Sequence, residues 1–386
     1  MKLLLKMTVQ LLIGSLVGLI IVIPIISITE GESLLSVAKT IIGNKGMDLL
    51  VTIVTIVLSA LAASIVQLIV HEGGHLVAGL LTGYKFVSFR MLNFTLIRKD
   101  GRLRWRNFEL SGTGGQCLLA PPDKPIDEID TRWYNAGGVL ANILLSIVGI
   151  VLLIAVDMPQ WLRLFCGIMV FIGFFFALTN GIPLKLGGVA NDGYNLFQLE
   201  KDTDSKRCFC NVLENNVRNQ EGEQVKDMPL HLFVCPEPVD WKNSLHVAVM
   251  LTATFRTMNL MQWEDAYQQL NEALLHKDDI IPLYMSEINC MMILTCIATG
   301  RDDEARQYYD QKTKDYVNRH APTQSDKCLV KFAVTLALDN DRTAAVKIYD
   351  ELKEKRDEFI HQGDVSMSLE VMQWLLDYRS ESVPSE

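Results

Sequence analysis

"IVHEGGHLVAGLLTGY", residues 69–84, closes a run from Met47 to Val70 in which Asp48 is the only charged residue. His71, Glu72 and His75 then arrive within five residues. Ionisable side chains inside an apolar span are costly, so they need a partner or a task. Residues four apart share one face of an α-helix, so His71 and His75 present two imidazoles to one point. This is the His-Glu-x-x-His arrangement, in which both histidines bind a metal and the glutamate takes a proton from water. Zinc is the expected ion, and it brings the pKa of a bound water to about 7. Gly73 and Gly74 lower helix propensity by about 1 kcal/mol each. They also leave room beside the metal for a peptide and for water.

Working outward, stretches of about 20 apolar residues are long enough to cross a bilayer. Four are expected, at about 8–28, 48–83, 134–156 and 160–183. The first follows Lys2 and Lys6 and reads as a retained anchor rather than a cleaved signal. The second is too long for a perpendicular helix, so it tilts, bends or projects from the membrane. Between spans two and three lie Lys85, Arg90, Arg98, Lys99, Arg102, Arg104, Arg106, Lys124 and Arg132. The 157–160 turn has no basic residue. Basic loops stay cytoplasmic, which puts both termini in the cytosol. The expected location is the cell membrane of a bacterium.

Residues 86–110 alternate polar and apolar side chains around Asp100-Gly101, a β-hairpin signature. The following "SGTGGQCLLAPPDKP" is rich in Gly and Pro and is expected to be irregular, with Cys117 on a mobile loop. Residues 1–199 carry 15 Lys/Arg and 12 Asp/Glu, net +3, and residues 200–386 carry 21 and 33, net −12. An acidic soluble half argues against nucleic-acid binding, which needs basic patches. The eight cysteines are scattered without a disulfide framework, as in a reducing compartment.

The C-terminal half reads as helical pairs. Ala266, Ala305 and Ala345 lie 39 and 40 residues apart, within similar amphipathic segments. Residues 241–380 are therefore expected to form a cytosolic α-helical repeat resembling the tetratricopeptide family, although the period is longer. Residues 200–240 show no pattern and read as a linker or docking segment. The fold class is thus mostly α: polytopic membrane helices, a small β-hairpin element and a helical repeat domain.

A catalytic zinc site takes a third protein ligand and keeps one position open. Asp192 follows the fourth span inside the Gly-rich "PLKLGGVANDGY" and serves only if residues 184–193 fold back. At this point the chain resembles the site-2 protease family of intramembrane zinc metallopeptidases. The resemblance rests on His71-Glu72-Gly73-Gly74-His75, on Asn180-Gly181-Ile182-Pro183 followed by Asp192-Gly193, and on "NAGGVLANILLS" with Gly137, Gly138 and Asn142. It covers about residues 60–198. Eight residues separate Pro183 from Asp192, more than in the commonest form of the pattern.

The resemblance implies hydrolysis of peptide bonds in or near transmembrane segments. His71, His75 and Asp192 would hold zinc, and Glu72 would be the general base. Asn142 and Asn180 are weaker candidates for binding substrate or an oxyanion. The partners would be a membrane-protein or membrane-proximal peptide, the lipid bilayer, and a protein docking on the repeats. Two other readings stand beside it. One is an idle scaffold acting through its repeats. The other is a membrane-anchored zinc peptidase that cuts soluble peptides at the cytosolic face.

Overall fold

The computed structural model describes residues 47–99, 102–107 and 114–381. The expected span at 8–28 and the last five residues lie outside that range. The chain divides into two compact units. One comprises the described part of Met1–Ala78 with Trp133–Leu184, and the other comprises Gly79–Arg132 with Lys185–Glu386.

The first unit is built on three helices, α1 (Met47–Leu81), α2 (Arg132–Ala155) and α3 (Gln160–Gly181). All three are long and apolar enough to cross a membrane. At 1.5 Å per residue the 35 residues of α1 extend about 52 Å, against a hydrocarbon core of about 30 Å. The side chains sort in an unusual sense. Val54, Leu58, Leu61, Ile65 and Ile69 on α1 are exposed, as are Leu140, Leu144, Ile147, Val151 and Ile154 on α2. In water such stripes would be a large apolar liability, whereas lipid solvates them at no cost.

The inward faces carry small and polar groups instead. Ala63, Gln67, His71 and His75 recur every four residues along α1, all buried. Asn135, Gly138, Asn142, Ser146 and Gly149 make the matching line on α2. Small residues let helix backbones approach where no hydrophobic effect drives them together. A Cβ on Gly74 would sit 2.2 Å from Gly137 O, and one on Gly137 would sit 2.3 Å from Gly74 O. Gly74 therefore serves the α1–α2 contact, while Gly73 faces open space as expected.

In the second unit, β1 (Lys85–Met91), β2 (Phe94–Lys99), β3 (Arg102–Asn107) and β4 (Gly115–Ala120) form an antiparallel sheet of order β3-β2-β1-β4. The expected hairpin is the β2–β3 pair, closed by Lys99↔Arg102. Two features correct the expectation. A further turn at Leu92-Asn93 splits 86–99 into two strands, with Leu92 at φ 51°. The Gly-rich stretch after the hairpin supplies β4, which pairs with β1 and buries Cys117, Leu118 and Leu119. Cys117 is therefore a core side chain rather than part of a mobile loop. Arg90 is also buried, donating to Leu92 O at 2.8 Å.

After α3, β5 (Lys185–Leu186) and β6 (Val189–Ala190) make a two-residue hairpin through Gly187 and Gly188, at φ 61° and 87°. Two successive left-handed positions favour glycine. The α4 helix (Asp192–Gln198) follows at once, capped by Asn191, whose side chain accepts from the Tyr194 N–H. The 200–240 segment, expected as a linker or docking stretch, contains α5 (Thr203–Glu221), with Asp202 at its N-cap and Gly222 at φ 101° as its stop. Val217 of α5 packs with Val87 and Leu118 of the sheet.

The helical pairs follow: α6 (Ser244–Asn259) with α7 (Trp263–Leu274), α8 (Pro282–Ala298) with α9 (Asp302–Tyr308), and α11 (Ser325–Ala337) with α12 (Arg342–Glu354). An additional helix, α10 (Gln311–His320), separates the second and third pairs, and α13 (Gln362–Glu381) closes the unit. The turn within each pair has one left-handed residue, Met261, Gly300 or Asn340. Each lies five residues before Ala266, Ala305 or Ala345, and all three alanines are fully buried. The 39–40-residue recurrence is thus a repeated helix–turn–helix geometry. The extra helix α10 falls within the second interval alone, so it does not set the spacing of the first.

Candidate metal centre

His71, Glu72 and His75 lie in the C-terminal half of α1, where Gln67, His71 and His75 succeed one another along its buried line. His71 and His75 turn their imidazoles inward against α2. The rings meet edge to face, with centroids 4.8 Å apart and planes at 84°. His71 Nε2 and His75 Nε2 are 3.2 Å apart. Two imidazole nitrogens on one tetrahedral zinc, each about 2.0–2.1 Å from the ion, would sit ~3.3 Å apart.

The far side of each ring fixes which nitrogen carries the proton. His75 Nδ1 lies 2.7 Å from the Tyr134 carbonyl, which can only accept. His71 Nδ1 lies 2.7 Å from Asn142 Oδ1. The Asn142 amide cannot be turned around, because its Nδ2 donates to Gln67 O at 2.8 Å and to Gln67 Oε1 at 2.7 Å. Gln67 is itself anchored by donating from Nε2 to Met169 O at 2.9 Å. Both histidines are therefore Nδ1–H tautomers when neutral, and both Nε2 lone pairs converge. Lone pairs at this separation repel unless something positive lies between them. A proton shared between the rings would engage both lone pairs but leave a positive charge in a buried site, whereas a metal ion can be coordinated by both.

The rings pack closely against glycine backbone. A Cβ on Gly138 would lie 2.6 Å from His71 Cε1 and 2.6 Å from His75 Nε2. One on Gly173 of α3 would lie 2.1 Å from Ser146 Oγ and 2.3 Å from Gln67 Nε2. These glycines are the floor on which the polar network rests. Glu72, one residue from His71, is buried as well.

Asp192 is the first residue of α4. The β5–β6 hairpin pairs Lys185 with Ala190, so the additional residues after Pro183 fold back on themselves and add little reach. His71, His75 and Asp192 are the one group among the described residues that could hold a metal ion. Cys208, Cys210, His231 and Cys235 do not make such a group.

The two asparagines are placed differently. Both Asn142 N–H groups go to Gln67 and its Oδ1 holds His71, so it has no donor left for substrate or an oxyanion. Its place is behind His71. Asn180 donates to Phe176 O one turn back at 3.0 Å, at the end of its own helix. Sequence reading missed Gln67, although it stands four residues before His71 on the same face. The Tyr134 carbonyl carries no sequence signal.

No family model matches the chain, nor does any curated protein or solved structure with which it was compared.

Proposed function

We propose that the chain is a membrane-embedded zinc endopeptidase, similar to the site-2 protease family, that hydrolyses peptide bonds in or near transmembrane segments of other proteins. The observation that carries this reading is the convergence of the two Nε2 lone pairs at 3.2 Å, with both Nδ1 atoms committed as donors. Histidines that ligate a metal almost always donate their other N–H in this way. Two imidazoles and a carboxylate from Asp192 suit zinc, a borderline-soft ion that accepts nitrogen and oxygen ligands. When bound, zinc would polarise a peptide carbonyl and make water easier to deprotonate.

The chain's own residues supply the rest. Asn142 and the Tyr134 carbonyl hold the imidazoles in register. Glu72 takes a proton from water and returns it to the departing amide nitrogen, as a buried carboxylate beside the ligands is placed to do. A Cβ at Gly73 would meet no other atom within 4 Å, so the helix is not crowded at that position. Lipid-facing apolar stripes on α1 and α2 favour a substrate that arrives through the membrane over a soluble peptide. We read the helical pairs as a tetratricopeptide-like cytosolic module that recruits a protein partner. An idle scaffold would have no reason to keep a buried glutamate beside two converging imidazoles.

The test is a comparison of membrane proteomes between wild-type and Glu72→Gln cells. Full-length membrane proteins should accumulate in the variant, with their cleavage products missing. Indistinguishable proteomes would favour the scaffold.

A further inference from the structure

The helical unit contains a second polar site, unrelated to the metal centre. A cavity of about 340 Å³ opens where α5, α8, the start of α11 and the entry to α13 meet. Its walls include Glu287, Gln324, Asp326, Lys327, His361 and Asp364. Three carboxyl groups here face one lysine. Lys327 is 1% exposed and donates to Glu287 Oε2 at 2.6 Å and to Asp326 Oδ2. Burial opposes its charge, but Asp326 and Glu287 together hold its pKa above the ordinary lysine value. Tyr316 donates to the other oxygen of Glu287, so each of its oxygens accepts one hydrogen bond.

The remaining groups leave acceptors in excess. Asn219 donates to Asp364 Oδ1. The second oxygens of Asp326 and Asp364 accept no hydrogen bond from a described residue. Gln324 Oε1 is buried and has no partner. An orphaned buried acceptor is unfavourable, so its persistence calls for a donor supplied from outside. Burial, reinforced by Asp326, raises the Asp364 carboxyl to about 7. Burial also lowers His361 below the ordinary histidine value, so near neutral pH its ring adds no charge to offset the carboxylates.

We propose that this cavity binds a cationic amine or guanidinium group, carried either by a small free amine or by the basic end of a peptide. Such a group brings both the positive charge and the several N–H donors that the walls lack. A bare metal ion is a poorer match, since these residues do not form a metal-holding group. An anion would meet three carboxyls. The volume is at the low end for ligand sites, about 300–1,000 Å³, which suits one amino-acid-sized group.

Calorimetric titration of the detergent-solubilised full chain tests this. The probes are N-acetyl-argininamide, N-acetyl-lysinamide, an acetylated tetrapeptide amide ending in arginine, and N-acetyl-citrullinamide as the uncharged near-isostere. At least one cationic probe should bind saturably, about tenfold or more tighter than the citrulline compound, because charge-assisted hydrogen bonds are roughly twice as strong as neutral ones. Tighter binding of the tetrapeptide than of argininamide would identify a peptide end as the source, and equal binding a small amine. Asp364→Asn should weaken binding about tenfold, and Gln324→Met, which keeps the shape and removes the acceptor, severalfold. Where Asp364→Asn fails to fold, Gln324→Met decides. The proposal is overturned by absence of saturable binding at millimolar probe, by equal binding of the citrulline compound, or by folded variants that bind like wild type.

Discussion

His71 does not choose its own orientation; Asn142 and Gln67 choose it. Removing that support should act on metal affinity rather than on the fold. Asn142→Leu is expected to weaken zinc binding about 10–100-fold, as measured by chelator competition, because partners behind a ligand typically contribute that much. Unchanged affinity would separate Asn142 from the site. Gly138→Ala should be more severe, since its methyl would overlap both imidazoles. Stoichiometric metal in that variant would contradict the packing described above. A third residue-scale prediction concerns Asp364. Its folded pKa of about 7 lies above the ordinary aspartate value near 4, so the folded state holds the proton more tightly than the unfolded state. Its contribution to stability is fully present below about pH 4 and is lost as pH rises through about 7. Asp364→Asn should flatten that part of the thermal-unfolding profile of the full chain between pH 4 and 8. An unchanged slope would assign the pH dependence elsewhere.

At the scale of elements, the sheet offers an edge. In a two-residue hairpin the closing pair is hydrogen-bonded and the pattern alternates outward. With Lys99↔Arg102 as the closing pair, Leu103 and Trp105 of β3 turn their backbone N–H and C=O away from β2. A transmembrane helix must unwind before it can be cut, and an edge strand can hold the extended form. Leu103→Pro removes one outward donor while keeping the ladder to β2. It should lower cleavage of a membrane substrate with zinc content intact, and unchanged turnover would exclude β3 as the docking edge. The elements also show what sequence reading reaches. The three apolar helices and the β2–β3 hairpin were legible, because hydropathy and an Asp-Gly turn are local signals. The strand β4 was not, because "GQCLLA" sits among glycines and prolines and gains its order from β1, with partners as far apart as Lys85 and Ala120. The β1–β2 turn was hidden because Leu92 occupies a left-handed position that leucine disfavours by about 1–2 kcal/mol.

At the scale of the whole molecule, the charge split and the repeat spacing were readable, and the site only partly. His71, Glu72 and His75 announced themselves by spacing. The task of Asn142 depends on partners in α1, which no local pattern encodes. Orientation in the membrane is a further proposal that rests on the basic loop between α1 and α2. Reporter fusions at residues 100 and 386 should read cytosolic, and those at 40 and 158 external. A cytosolic signal at 158 would overturn that arrangement, even though Arg90 has already left the count of surface charges.

The central claim is that His71 and His75 converge on a metal while Glu72 moves protons. Metal analysis of the purified protein tests it most directly. The wild type should hold close to one zinc per chain, His71→Ala and His75→Ala should lose it, and Glu72→Gln should retain it while turnover falls about 10²–10⁴-fold. A wild-type protein without stoichiometric metal, or a Glu72→Gln variant that keeps full turnover, would contradict the account.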